Sequence, residues 1–500
     1  MTFTSLAFLC FVAGVWVLHA ITPGKFRWVI LLAASVAFYC ICDLIAVIWL
    51  VLCTLVTFFG GKLLQALKNP QTKKIALAII ILLIFGLLSV FKFAGFAAKL
   101  LPSVFGMFSA GLLLPLGLSF NIFQSAGYVI DIYRGKYTSE RNIAKYALYV
   151  SFFPQIVQGP IGRYDKLAPQ LFSGQKTGAD SYKYGIQLVL WGLFKKMILA
   201  DRAGILVDAV FASPESHGGI VTIVAAAFYC IQIYCDFSGG IDISRGIAEG
   251  LGIKLDKNFE QPFFAISVSD FWRRWHITLG SWMRDYLFYP LSLSRLFGRL
   301  GRFLRRLLGI RTGKLIPSLA ATFIVFFVIG IWHGGAWKYI IFGIWNGILI
   351  TAAMFAEPYF DRIRKALKIK EGSKLFHTFR ILRTLVIIGA GRILIRAANT
   401  AGALIMFRKI FTSPKTSHII NGALLNLGLT LNDYIIIIAA FLVLLAVDIM
   451  EENGVSVRGF IERRAPVLQV LLIAVTLAVL ILFGAYGKGY VSAQFLYARF

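Results

Sequence analysis

The feature that most constrains this 500-residue chain is a succession of apolar runs free of charge, spaced along almost its whole length. They fall at 1–24, 28–42, 44–61, 75–91, 100–130, 146–162, 184–194, 219–235, 315–332, 339–356, 416–432, 434–447 and 466–487. A hydrocarbon layer about 30 Å thick calls for roughly 20 such residues per helix. With 58% hydrophobic and 15% charged residues, the composition excludes a set of ordinary soluble domains. Several runs are short or broken by Pro, Gly or an ionisable residue. The expectation is an all-α polytopic membrane protein of about eleven to thirteen transmembrane or re-entrant helices, forming one unit over 1–500. Segments that enter without crossing are tolerated only where protein or water covers their backbone. The start, MTFTSLAFLCFVAGVWVLHA, has no basic residue before its apolar stretch and no clear small-residue cleavage site, so it reads as a first span rather than a removed signal peptide.

Charge is the second constraint. Lys and Arg number 51 against 23 Asp and Glu, a net +28. The excess sits in short segments between apolar runs, which is the cytoplasmic-loop bias of a multi-pass cell-membrane protein and not the footprint of a nucleic-acid binder. Residues 295–314 carry seven basic residues and no acid; residues 361–383 carry eight against Asp361 and Glu371. Both segments should be cytoplasmic. Arg295, Arg299, Arg302 and Arg306 recur at helical spacing, with Leu296, Leu300, Phe303 and Leu307 on another face, which predicts a helix lying in the membrane surface. It would either anchor to anionic lipid or dock an anionic donor such as a coenzyme or an acidic carrier protein. Cys10, Cys40, Cys42, Cys53, Cys230 and Cys235 all lie in apolar runs without zinc-ligand spacing, so no metal site is expected.

Two spans between the basic loops return the chain to the same side and leave I-W-H-G-G-A-W-K at their joint. A helix over 315–332 would be about 27 Å long, short for a tilted crossing, which predicts that His333 is recessed below the outer face. Glycine beside it allows close approach of backbone or ligand, and a histidine at membrane depth is costly without a task. A second histidine lies in S-D-F-W-R-R-W-H-I-T-L-G-S-W-M-R-D-Y-L-F-Y-P-L, residues 269–291, where Asp270, Arg273, Arg274, His276, Arg284 and Asp285 alternate with Trp272, Trp275 and Trp282. Such a segment is either an interfacial aromatic belt with snorkelling arginines or the lining of a protein-walled cavity. His19, His217, His377 and His418 read as ordinary interfacial residues.

The order of motifs resembles the membrane-bound O-acyltransferase family, in particular its bacterial branch concerned with alginate O-acetylation and with D-alanyl transfer to teichoic acid. The similar segments are L-P-L-G-L-S-F-N-I-F-Q at 114–124, Y-V-I-D-I-Y-R-G at 128–135, F-F-P-Q-I-V-Q-G-P-I-G-R-Y at 152–164 and Y-C-D-F-S-G-G-I-D-I at 234–243. They continue with N-F-E-Q-P-F at 258–263, D-F-W-R-R-W-H at 270–276, W-M-R-D-Y-L at 282–287 and I-W-H-G-G-A-W at 331–337. Two departures bear on substrate: the segment after Pro290 is longer and richer in arginine than the short turn of the alginate type, and A-Q-F-L-Y-A-R-F only partly matches the family's aromatic C-terminus.

The resemblance implies that His333 and His276 are the functional histidines, with Asp270, Trp272, Arg273, Arg274, Trp275, Arg284, Asp285, Trp332, Gly334 and Trp337 supporting them or lining the pocket. A neutral imidazole can take the proton of an acceptor hydroxyl, and burial keeps it neutral. The developing oxyanion needs donors, for which His276, the Trp332 or Trp337 indole, or amides near Gly334 and Gly335 are candidates. Because His276 lies just upstream of the cytoplasmic basic helix and His333 follows a span that leaves the cytoplasm, the donor thioester is expected at His276 and the acceptor hydroxyl at His333. The expected architecture is a central funnel or tunnel meeting at His333. No tightly bound cofactor is implied; an acyl thioester, acetyl-CoA or an acyl carrier protein, is the co-substrate. The implied partners are membrane lipid, a cell-envelope polysaccharide, and either an extracytoplasmic acyltransferase or a cytoplasmic carrier. D-alanyl transfer to teichoic acid is the alternative within the chemistry. A transporter or glycan flippase using Asp131, Asp236 and Asp242 as a relay is the alternative outside it.

Overall fold

A computed structural model describes residues 2–105, 114–156, 158–174, 176–413, 422–486 and 495. Among the described residues the chain is helical, with a single isolated β-bridge between Phe259 and Trp275. Eight helices among the described residues are long and apolar enough to cross a membrane, namely Gly24–Cys42, Leu44–Ala66, Pro70–Leu100, Gly219–Gly250, Arg295–His333, Trp337–Ala366, Leu431–Glu452 and Pro466–Phe483. Leu6–Ile21 is a shorter apolar helix. The chain is therefore an all-α, multi-pass membrane protein. Its contacts gather into two compact units interleaved along the sequence, 1–198 with 234–257 and 466–500, and 199–233 with 258–465.

The first unit shows why some apolar runs do not form helices long enough to cross. Its helix starts are capped by short polar side chains: Ser5 accepts from Phe8 N, Asp43 from Ala46 N, and Asn69 precedes Pro70. Asp43 also takes the Leu116 N–H at 3.2 Å, tying a turn before Leu118–Tyr133 to the same corner. Gly60 and Gly61 let Leu44–Ala66 approach its neighbours. A Cβ at Gly60 would lie 2.8 Å from Ile80, and one at Gly61 would lie 3.0 Å from Ile132 and Tyr128.

The run 146–162 is not a span. Helix Ile143–Ser151 is nine residues long, breaks at Phe152 and resumes only over Phe153–Ile156, where Pro154 precedes Gly159 and Pro160. At about 1.5 Å per residue nine residues cover less than half a bilayer. Carbonyls freed at the break are met by amides from Leu118–Tyr133: Asn121 Nδ2 donates to Val150 O at 2.9 Å and Gln124 Nε2 to Tyr149 O at 2.6 Å. The chain then returns to the end from which it entered, where the Tyr164 hydroxyl donates to Glu140 at 2.6 Å. It is a re-entrant segment. The run 184–194, by contrast, extends further than its apolar residues show. Ala179–Leu193 continues into a π-helical turn, Phe194–Ala200, and then Asp201–Ala212.

In the second unit, the described part of 416–432 is a run of turns with Gly422 and Gly428 at positive φ, so the expected pair of spans at 416–432 and 434–447 is one helix, Leu431–Glu452. Residues 414–421, including His418, lie outside the described residues. The arginine-rich helix forms as expected but ends sooner: Gly309, at φ 83° and ψ 168°, separates 295–308 from 310–333. Leu296, Phe303 and Leu307 are more than half exposed on it, which is the apolar face a surface helix offers to lipid. The following hairpin closes on glycine, since a Cβ at Gly330 would lie 2.6 Å from Tyr339 O and one at Gly343 would lie 2.7 Å from Phe326 O.

Candidate active site

The second histidine motif lies along the helix Lys374–Arg396. Arg383 donates to Ile266 O at 3.0 Å, and Arg392 stands over the Trp275 ring at 4.3 Å. Nine helical residues separate those arginines, about 13 Å along the axis, so the segment 266–275 runs inward from the basic end of that helix. Asp270 is buried and holds its own turn: its carboxylate accepts from Ile266 N, Arg273 and Arg274 at 3.1 to 3.3 Å. Trp272 donates to Asn346 Oδ1 at 3.0 Å and packs edge-on to Phe326. Trp275 stacks on Phe271 at 5.5 Å. These contacts deliver His276 to the interior, 2% exposed, at φ 50° and ψ 51°, a left-handed conformation that non-glycine residues avoid. Burial pushes its imidazole down to about 3, so it is neutral at cellular pH.

His333 is the last residue of the long helix and is 7% exposed. Trp332 joins the two histidines: its ring centroid lies 6.3 Å from that of His276 and 5.0 Å from that of His333. Tyr339 stacks against His333 at 6.3 Å and Phe342 meets it edge-on at 6.0 Å. Gly334 is needed for this closure, because a Cβ there would sit 2.9 Å from the Tyr339 ring. The result is an aromatic-walled pair of buried imidazoles.

The structure does not bring every expected residue here. Arg273 is 76% exposed in its side chain, Arg284 is 58% exposed and pairs with its neighbour Asp285 at 3.2 Å, and Trp337 is 57% exposed. Arg274 reaches instead to Glu452 at 2.6 Å, fastening the motif to Leu431–Glu452. These four residues, with Asp285, do not line the buried pair. Charge at the surface end of an interior motif explains the mismatch. His377 is exposed, whereas His19, in the last turn of its helix, is buried. The sequence reading missed Asn258, whose side-chain oxygen lies 3.2 Å from His276 Nδ1, and Tyr339, which stacks on His333. The opening residue of N-F-E-Q-P-F was the available signal for the first; nothing in the spacing marked the second. Among the described residues no group of His, Cys, Asp and Glu is placed to hold a metal ion.

Residues 135–375 match the family model for the membrane-bound O-acyltransferase family. The chain is 30% identical over 423 residues to the probable alginate O-acetylase AlgI of Azotobacter vinelandii, covering 82% of this chain and 78% of that protein. It is 32% identical over 267 residues to the peptidoglycan O-acetyltransferase of Helicobacter pylori, 48% of this chain and 47% of the other. It is 27% identical over 250 residues to the teichoic acid D-alanyltransferase of Bacillus subtilis, 49% and 60% of the two chains.

Proposed function

The chain belongs to the membrane-bound O-acyltransferase family, and from that premise we propose that it moves an acetyl group from a cytoplasmic thioester to hydroxyls of an extracytoplasmic polysaccharide, through a partner protein on the outer side. The observation that carries the reading is the pair of buried imidazoles, His276 and His333, on either side of Trp332. Acyl transfer needs a base within reach of the acceptor hydroxyl and donors for the oxyanion. A buried, uncharged imidazole is suited to the first task, and the Trp332 indole and the amides near Gly334 are suited to the second. A recessed site reachable from both faces lets the acyl group cross while its carrier stays behind, in a bacterial plasma membrane. Acetyl is preferred to D-alanyl because the similarity to the alginate O-acetylase runs over 82% of the chain and that to the D-alanyltransferase over 49%.

The ion-relay alternative loses its support in the geometry. Lys136 meets Asp131 at 3.3 Å, Lys196 meets Asp236 at 2.6 Å and Lys195 meets Asp242 at 2.6 Å. Acids committed to fixed cations are poor carriers of a mobile charge. Mass spectrometry of envelope glycans from a deletion strain tests the proposal: acetyl esters should disappear and return with the wild-type gene. Loss of D-alanyl esters instead would assign the runner-up, and an unchanged ester profile would reject both.

A further inference from the structure

Asn258 opens N-F-E-Q-P-F and is 1% exposed. A short extended pairing places it beside His276: Glu260 N donates to Arg274 O at 3.0 Å, Phe259 bridges Trp275, and Ile277 N donates to Asn258 O at 3.0 Å. The Asn258 side-chain oxygen accepts from the Thr278 N–H at 2.9 Å and from the Thr278 hydroxyl at 2.9 Å. A backbone N–H can only donate, so this arm of the amide is the oxygen and not the NH2 group. The same oxygen faces His276 Nδ1 at 3.2 Å. An amide oxygen can only accept, so Nδ1 carries a hydrogen. A neutral imidazole has one N–H, and the lone pair therefore lies on Nε2.

We propose that Asn258 is a positioning residue that fixes His276 as its Nδ1–H tautomer, leaving Nε2 as the proton acceptor of the transfer. The inference rests on the acyl-transfer reading above and deepens it. The hydroxyl oxygen attacks the thioester carbonyl carbon as Nε2 takes the hydroxyl proton. The C–S bond then breaks, and the imidazolium returns that proton to the departing thiolate, so ester and free thiol are the products. In this assignment neutral His276 has no N–H to give an oxyanion, so that task falls to other donors. This differs from the division of labour expected from the sequence, in which His276 steadies the thioester.

The left-handed backbone at His276 agrees with a ring held in one orientation by its neighbours. Of the charged and titratable groups nearby, Arg392 lies over Trp275 and His333 lies beyond Trp332 with Tyr339 stacked on it, while Asp270, Arg273 and Arg274 before it in the chain and Arg284 and Asp285 after it pair with one another or with Glu452 and do not line the ring. Asn258 itself is uncharged, so it can set the tautomer without raising the imidazole toward protonation. The Asn258 NH2 group is buried with no hydrogen-bond partner among the described residues. An oxygen in its place therefore costs no existing bond, which makes Asn258→Asp an informative variant. It keeps an acceptor for both Thr278 donors and for Nδ1–H but adds a negative charge.

The test uses the full-length protein in lipid nanodiscs, labelled with 15N-histidine, with the His276 signals identified by their loss in His276→Gln. At neutral pH the wild type should show protonated Nδ1 and unprotonated Nε2. An Nε2–H tautomer or an imidazolium would overturn the proposal, whatever the protein acylates. In membrane vesicles supplied with radiolabelled acetyl-CoA, the acid limb of thiol release in Asn258→Asp should move upward by about 1 to 3 pH units. Asn258→Ala should lose rate without that displacement. An unmoved limb in a folded, tautomer-correct Asn258→Asp would reduce Asn258 to packing. Failure of the wild type to release thiol would count against the acetyl-CoA reading alone, because the nitrogen signals decide the tautomer without turnover.

Discussion

Lys195 and Lys196 are as deeply buried as His276 and His333, at 3% and 1% exposure against 2% and 7%. Each lysine is closed by a carboxylate: Lys196 by Asp236, and Lys195 by Asp242 with help from the Ser238 hydroxyl at 3.0 Å. The histidines are held among aromatic rings, and His276 is oriented by a neutral amide. Both arrangements avoid an uncompensated interior charge, which costs several kcal/mol. The first does so by pairing, which fixes both partners. The second, at His276, keeps the group neutral, which leaves it able to take up a proton. Burial of an ionisable group is thus no guide to reactivity until its compensating group is known.

The largest effect expected is on transfer at His333. His333→Ala should reduce acyl-ester formation on the order of 10² to 10³-fold, the loss expected for one preorganised donor to the oxyanion, while the protein still accumulates folded in the membrane. Quantified glycan esters in a complemented deletion strain, beside the yield of monodisperse purified protein, would check it. Wild-type ester levels would remove His333 from the chemistry and erase the contrast with the lysines.

Lys196 should respond in the opposite sense. Removing one member of a buried pair leaves the other uncompensated, so Lys196→Ala should destabilise the protein by about 3 to 5 kcal/mol, seen as a lower thermal-unfolding midpoint in detergent. Replacing both partners with apolar residues, Lys196→Met with Asp236→Leu, should recover most of that loss and retain transfer. A stable Lys196→Ala protein without activity would instead move the lysine into the working site.

The fold class and the arginine-rich helix were legible in the sequence, because apolar runs and arginine spacing are local patterns; the two histidines it singled out meet around Trp332. At 146–162 hydropathy alone does not distinguish a crossing from a re-entrant segment; Pro154, Gly159 and Pro160 were the visible sign of a break, and the amides of Asn121 and Gln124 that make it tolerable come from another helix. Hydropathy likewise under-reads 179–212, whose charged Lys195 and Lys196 divide an apolar run that their distant acids let stay buried. At the site, sequence proximity over-weighted Arg273, Arg284, Asp285 and Trp337. Asn258 escaped because its role depends on an amide meeting a ring 18 residues away.

The arginine-rich helix supplies a third environment, charge left in contact with solvent and lipid headgroups. Reversing Arg299, Arg302 and Arg306 together should weaken preference for anionic lipid by about 1 kcal/mol per residue, measured by headgroup competition against the protein in nanodiscs, and added salt should diminish the wild-type preference. Transfer from a small uncharged thioester should be unaffected. A loss confined to acetyl-CoA would show that the helix also receives the anionic donor.

The smallest effect belongs to Arg284. It lies eight residues from His276 in the same motif, so a reading by sequence proximity makes it a pocket residue, but its side chain is more than half exposed and its ion pair is with adjacent Asp285. An exposed pair exchanges water for one solvent-screened contact and restrains two side chains, for a net contribution within about 1 kcal/mol. Arg284→Ala should therefore leave both the unfolding midpoint and the transfer rate close to wild type, and Arg284→Ala with Asp285→Ala should be no worse. The informative control is Arg274→Ala, which loses contacts to both Asp270 and Glu452 and should lower stability without an equal loss of rate in the folded fraction. A large kinetic defect in Arg284→Ala would mean that residues outside the buried pair touch the donor, and would shift the boundary of the working site toward the surface end of this motif.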